Sequence, residues 1–272
     1  MFALSPPARA ELVEAVNRVR AQECPVPVRS PLQDNSRLRR AAQRMAAGVS
    51  LHQALSSAGY LAAQSSAVHL TGAVSDAQVA RALAGDYCGR LTDRRLSEIG
   101  ATRQGRDVWI VVASPVALPS AKDAGSIGRQ ILDLVNRARL TGRRCGSKPY
   151  PPTAPLILNP ALASAALAHS QDMALSGRFD HRGRDGSSPA MRVERAGYGR
   201  YLAVGENIAA GAMTPAEVAE GWLDSPAHCE NIMDPRFSEI GIAFAVNPSS
   251  PELVYWTQEF ARPRPSRSFA TP

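Results

Sequence analysis

Residues 204–232 read V-G-E-N-I-A-A-G-A-M-T-P-A-E-V-A-E-G-W-L-D-S-P-A-H-C-E-N-I. Thr214 and Glu217 make a capping box, with Pro215 at the first helical position. A helix is therefore expected from Pro215 to about Asp224, with Val218 and Trp222 on its core face. Ser225-Pro226 then reads as the cap and first residue of a short second helix, which places His228 in its first turn. There the helix dipole disfavours a cation, and a neutral imidazole is what a metal ligand or general base needs. Glu206 stands after Gly205, at the start of an expected strand.

Upstream, F-D-H-R-G at 179–183 holds His181 in a loop that follows a helix opened by Asn159-Pro160 and closed before Gly177. Another helix is expected from Ser126 to Arg139 and another from Ser188-Pro189 to Gly197. Downstream, strand alternation covers 240–246 and, after a Pro/Ser-rich turn, 253–260. Helices around an antiparallel hairpin predict an α+β layered domain.

The first half carries the same signals in the same order. V-N-R-V-R at 16–20 matches V-N-R-A-R at 135–139, and P-L-Q-D-N at 31–35 matches P-L-I-L-N at 155–159. Ala58-Gly-Tyr matches Ala196-Gly-Tyr, and Ser97-Glu-Ile-Gly matches Ser238-Glu-Ile-Gly. Ser75 with Gln78 repeats the capping box of Thr214 with Glu217. The chain is read as two copies of one domain, the first shortened. The expected organisation is a degenerate copy at 8–118, a linker at 119–126, the full copy at 127–262 and a disordered tail at 263–272. The cysteines occupy equivalent places, Cys24 with Cys145 and Cys88 with Cys229. That equivalence favours the pairs Cys24–Cys88 and Cys145–Cys229, hence an oxidising compartment.

Net charge is +7 with a pI near 9.7. The arginines are scattered and no aromatic run accompanies them, so nucleic acid is not an expected partner. No apolar run reaches the roughly 18 residues of a membrane span. The first residues are too short and proline-broken for a signal core, so for an exported protein either the signal has been removed or the start codon is placed too late.

The series of motifs from about Ile127 to Arg262 resembles the CAP superfamily of cysteine-rich secretory, antigen 5 and pathogenesis-related proteins, in its compact bacterial form. The resemblance implies tandem α-β-α sandwiches, with a central cleft lined by two histidines and two acids. His181, Glu206 and His228 match three of the four, and Asn207 belongs to the same G-E-N motif in the cleft. In eukaryotic members the second acid lies a turn after the helix Trp; here Asp224 is the nearest carboxylate. In several members the two histidines bind a divalent metal, often zinc, which puts His181 and His228 forward as metal ligands.

Three functions are in view. The preferred one is an exported binding module whose cleft takes a peptide, lipid or glycan, with or without a divalent metal. The second is a metal-dependent hydrolase in which Glu206, His181 and His228 are catalytic. The third is an envelope scaffold or adhesion protein. His169, on the face of Leu162, Ala166 and Met173, reads as a satisfied core histidine; Trp222, Trp256 and Gln258 read as framework. The first copy has Ala67 where Glu206 stands and Tyr87 where His228 stands, and it lacks the His181 loop.

Overall fold

The computed structural model describes residues 6–73 and 75–265, with side chains from residue 11 onward. The chain divides after Ala117 into two units.

In the first unit α1 (Pro6–Arg18) runs into a π turn and is followed by β1 (Gln33–Asp34), α2 (Ser36–Ala46), α3 (Leu51–Ser57) and β2 (Ala62–Leu70). Then come α4 (Asp76–Ala82), α5 (Cys88–Leu91), β3 (Glu98–Gln104) and β4 (Asp107–Pro115). The strands form one sheet in the order β1-β3-β4-β2, with only β1 and β3 parallel.

The second unit begins with α6 (Ala124–Thr141), the hairpin β5 (Arg143–Cys145) and β6 (Lys148–Tyr150), and β7 (Ile157–Leu158). After them come α7 (Pro160–Ser176), α8 (Pro189–Arg195), β8 (Tyr201–Ala210), α9 (Pro215–Asp224), α10 (Pro226–Met233), β9 (Glu239–Val246) and β10 (Val254–Pro263). Its main sheet has the order β7-β9-β10-β8, with β7 and β9 parallel. Period-2 alternation on β10 divides the layers. Val254, Trp256 and Phe260 pack with α6, α9 and α10. Tyr255 and Ala261 pack on the other face, towards α7 and α8. This is the expected α-β-α arrangement. The close contact of α7 with the sheet requires Gly241, where a Cβ would lie 2.0 Å from the Leu162 carbonyl carbon.

The motifs shared by the two halves do the same work in each unit. Asn136 exchanges two hydrogen bonds with the main chain of Leu156, as Asn17 does with Leu32. Arg139 continues the buried stripe of Ile127, Ile131 and Val135 on α6. Its guanidinium donates to the carbonyls of Ala154, Ile232, Asp234 and Phe237. Arg20 binds Leu91, Asp93 and Leu96 in the same manner. Asn159 caps α7 and also donates to Glu239, which accepts from Tyr198 as well. Asn35, Glu98 and Tyr60 repeat that trio. Cys24 is bonded to Cys88 and Cys145 to Cys229.

Some boundaries differ from the reading of the sequence. Most of the expected linker is helical: residues Ala121–Asp123 form a 3-10 turn capped by Ser120, and α6 starts at Ala124, two residues before the expected Ser126. Glu206 lies in the middle of β8 rather than at its start. Ser225 precedes α10 without a side-chain capping bond. β10 extends to Pro263, and the rest of the expected tail, from residue 266, lies outside the described residues.

Arg139 sets the first prediction. Burial lowers its pKa to about 10, the nearby Asp234 charge opposing, so it remains a cation at neutral pH. Arg139→Ala leaves buried carbonyls without donors and is expected to destabilise the protein by roughly 3 kcal/mol in urea titrations. Arg139→Lys, which keeps the charge but not the fork, should lose most of that. A loss below about 1 kcal/mol for the alanine variant would contradict this role.

Candidate functional site

Neighbouring residues on β8 point to opposite faces. Glu206 lies opposite Glu259 of β10, and Asn207 opposite Gln258. The two pairs therefore serve different layers.

Asn207 is fully buried. Its amide donates to Gln258 Oε1 and to the His228 carbonyl, each at 3.1 Å, and it accepts from Asn231 at 2.9 Å. Asn231 also donates to the Glu206 carbonyl at 3.1 Å. Asn207 thus fastens α10 to the sheet and is not a cleft wall, contrary to expectation. Asp224 is also outside the site. As the last residue of α9 its side chain is 82% exposed, 3.5 Å from Arg143.

Glu206 is the centre of the cluster. Its Oε1 accepts from His181 Nδ1 at 2.7 Å and its Oε2 from Arg192 Nη2 at 2.5 Å. Arg192, on α8, is itself anchored on the carbonyls of Ser187 and His181. Burial pushes the Glu206 carboxyl up, but His181, His169 and Arg192 more than offset it and hold it below the usual carboxylate range. The hydrogen bond to Glu206 raises the pKa of His181, whose side chain is 54% exposed. The carboxylate thereby fixes Nδ1–H as the inward edge and turns Nε2 outward. His228, half-buried on α10, is pulled down first by burial and then by the His181 charge.

The second acid of the site is Glu259. It is fully buried, neither oxygen receives a donor, and Arg192 Nε is 3.8 Å away. Burial first, and then the Glu206 charge beside it, raise its pKa well above the ordinary 4.5. One arginine faces two carboxyl groups, so one of them keeps its proton. Burial, and the Glu206 charge beside it, make Glu259 the one that holds its proton more tightly.

Three residues of the cluster, Arg192, His169 and Glu259, were not read as site residues from sequence. Arg192 sits in M-R-V-E-R, where nothing distinguishes it from the surface arginines around it. His169 is fully buried, as its spacing implied, but it is not satisfied. Neither ring nitrogen makes a side-chain hydrogen bond, the Asp180 main chain being the group that favours its charged form alongside Glu206, and Nε2 is 3.8 Å from Glu206 Oε1. Glu259 was hidden by its strand, T-Q-E-F, because only the register reveals that it faces Glu206.

Among the described residues, no group of three or more His, Cys, Asp or Glu side chains is placed to share a metal ion. His181 has given Nδ1 to Glu206, and both oxygens of Glu206 are engaged. Two imidazoles remain, which does not fit a catalytic zinc centre with its usual three protein ligands.

In the first unit the same register puts Ala67 opposite Val111, and Met45 and Ala67 both pack against the cluster that holds Val111. Met45 stands as far beyond the capping Asn35 as His169 does beyond Asn159. An apolar cluster fills the place of the charged one.

Residues 132–260 match the cysteine-rich secretory protein family, CAP. The chain is 34% identical over 132 residues to the uncharacterized protein YkwD of Bacillus subtilis, across 48% of this chain and 46% of that one. It is 28% identical over 134 residues to the uncharacterized membrane protein YlbC of the same organism, across 49% and 34%. It thus spans less than half the length of these curated relatives. An extracellular protein containing a SCP domain from Bacillus anthracis is similar in structure, with 21% identity, coverage of 60% of this chain and 56% of that one, and a TM-score of 0.43.

The carboxyl pair predicts an unusual pH dependence. Glu259 binds its proton more tightly in the fold than in the unfolded chain. Its contribution to stability is complete below 4.5 and drains away as pH climbs towards its raised folded value. Glu206 behaves in the opposite sense, contributing above the ordinary value and losing that contribution as pH falls through its lowered one. Glu259→Gln removes only the first effect. The variant should gain stability relative to the native protein from about pH 5 upward, by at most ~1.4 kcal/mol per pH unit, in urea titrations. A difference that does not vary with pH would show Glu259 to be charged.

Proposed function

We propose that the second unit, whose residues 132–260 match the cysteine-rich secretory protein family (CAP), is an exported ligand-binding module whose cleft is formed at His181 and His228. The observation that carries this reading is the saturation of Glu206. A general base needs a free oxygen facing the water or substrate it deprotonates. Glu206 is buried, with one oxygen held by His181 and the other by Arg192, so it orients an imidazole instead. Hydrolysis through this carboxylate is disfavoured by the same geometry.

The two histidines take unlike states. His181 is biased towards the cation by Glu206, and His228 towards the neutral ring by burial. A cationic donor beside a neutral ring suits a ligand with an acidic or acceptor-rich group, such as a peptide carboxylate, a lipid headgroup or an acidic glycan. Export is supported by the two disulfides, which belong in an oxidising compartment. No helix among the described residues is long and apolar enough to cross a membrane. The first unit is read as a worn copy of the same domain, with Ala67, Val111 and Met45 in place of the charged cluster, and its role is to cover a surface or hold a partner.

The test is a ligand panel of short peptides with free carboxylates, a lysophospholipid and an acidic glycan fragment, followed by histidine NMR signals. One class should shift both rings and be recovered unchanged, and His181→Ala should weaken it about tenfold or more. Turnover that disappears with Glu206→Gln would replace this reading with a hydrolase. One equivalent of tightly bound zinc, lost in a His181→Ala, His228→Ala double variant, would replace it with a metal centre. No response to any class would remove the binding reading.

A further inference from the structure

In the first unit α2 carries three exposed arginines, Arg37, Arg40 and Arg44. Spacings of three and four residues put them in one stripe, clear of the buried Leu38, Ala41 and Ala42. At 1.5 Å of rise per residue the stripe is about 10 Å long.

No carboxylate neutralises it. Arg39, on the flank, is paired with Asp34 at 2.7 Å, but among the described residues Arg37, Arg40 and Arg44 have no acidic partner. Arg37 donates to the Gly59 carbonyl at 3.2 Å and Arg40 to the Ala58 carbonyl at 3.4 Å. These acceptors are adjacent residues at the end of α3, so two like charges are held side by side. Each guanidinium has five N–H donors and uses one here, which leaves the others for a further partner. Capping of α3 accounts for those two bonds. It accounts neither for Arg44, whose side chain makes no hydrogen bond among the described residues, nor for the missing counter-charge. The second unit shows that the fold does not need these cations. Counted from the capping residues Asn35 and Asn159, the same places hold Ala161, Ser164 and Ala168.

We propose that the α2 stripe is a docking surface for an extended phosphodiester-type polyanion outside the cytosol. Guanidinium groups pair bidentately with phosphate oxygens, and a line of cations matches a line of anions. One phosphate is too small to neutralise a stripe about 10 Å long. An anionic bilayer calls for four or more clustered basic residues or an apolar face that inserts, and α2 exposes neither. Base recognition calls for aromatic side chains, and α2 has none. The Cys24–Cys88 bond places the unit in an oxidising compartment. This reading shares export with the one for the cleft and does not depend on His181 or His228.

The test titrates the full chain with medium-chain inorganic polyphosphate, from about 20 to 200 mM sodium chloride. Three contacts to a single chain predict a slope of about −2 in log K against log salt. Arg44→Gln, at a side chain bonded to nothing, should make that slope shallower by about 0.7. The triple variant Arg37→Gln, Arg40→Gln, Arg44→Gln should nearly abolish it and weaken binding at least about tenfold at the lowest salt. The corresponding triple lysine variant should keep the slope, since the charges remain. Arg129, Arg137 and Arg144 are exposed on the second unit, and their triple glutamine variant removes the same charge, so it should bind as the native protein does. Absence of binding at about 20 mM salt would overturn the proposal. So would an equal loss in both triple glutamine variants, which would make binding an effect of net charge alone. Tighter binding of orthophosphate, of phosphatidylglycerol vesicles or of a single-stranded oligonucleotide than of polyphosphate would also overturn it.

Discussion

The buried charge of Glu206 is the constraint on which the site depends. A carboxylate removed from water must have partners or lose its charge. Its partners come from separate elements: Arg192 from α8, His181 from the loop before it and Glu259 from β10. Satisfying one charge therefore ties α8, that loop and two strands together. It also explains the unlike states of neighbouring groups. Arg192 supplies one positive charge against two carboxyls, so Glu206 ionises and Glu259 keeps its proton. The ionised one then favours the cation on His181, and His181 in turn disfavours it on His228.

Around this site lies a frame made of main-chain satisfaction rather than chemistry. Arg139 gathers carbonyls from the loops on either side of the core, and Asn136 pairs with Leu156. Glu239 joins the cap of α7 to Tyr198. The first unit keeps every one of these roles in Arg20, Asn17 and Glu98. It also has the corresponding disulfide and the same strand order. What it does not keep is the charged cluster, replaced by Ala67, Val111 and Met45. Frame and site are physically separable: one set of residues satisfies loops, the other places charges on the face beneath α7 and α8.

That separation also explains what could be read from sequence. Frame residues lie in short contiguous motifs, V-N-R-x-R, A-G-Y and S-E-I-G, which leave a visible pattern when they occur twice. Caps such as Asn159 and Thr214 are local chemistry and were legible for the same reason. His181, Glu206 and His228 were legible through resemblance. Asp224 and Asn207 were misplaced because sequence proximity to the site did not reveal which face each side chain takes. Glu259 and Arg192 act through partners distant in sequence. Strand register and the packing of α8 decide their role, and neither is written in a local motif.

The most direct measurement is the separate titration of the His181 and His228 rings by NMR, in the absence of any ligand. With Glu206 as a buried, ionised acceptor, His181 titrates above the ordinary value of 6.5 and His228 below it. His181 at or below 6.5 would mean that Glu206 does not carry the charge assigned to it, and the arrangement built on that charge would fail.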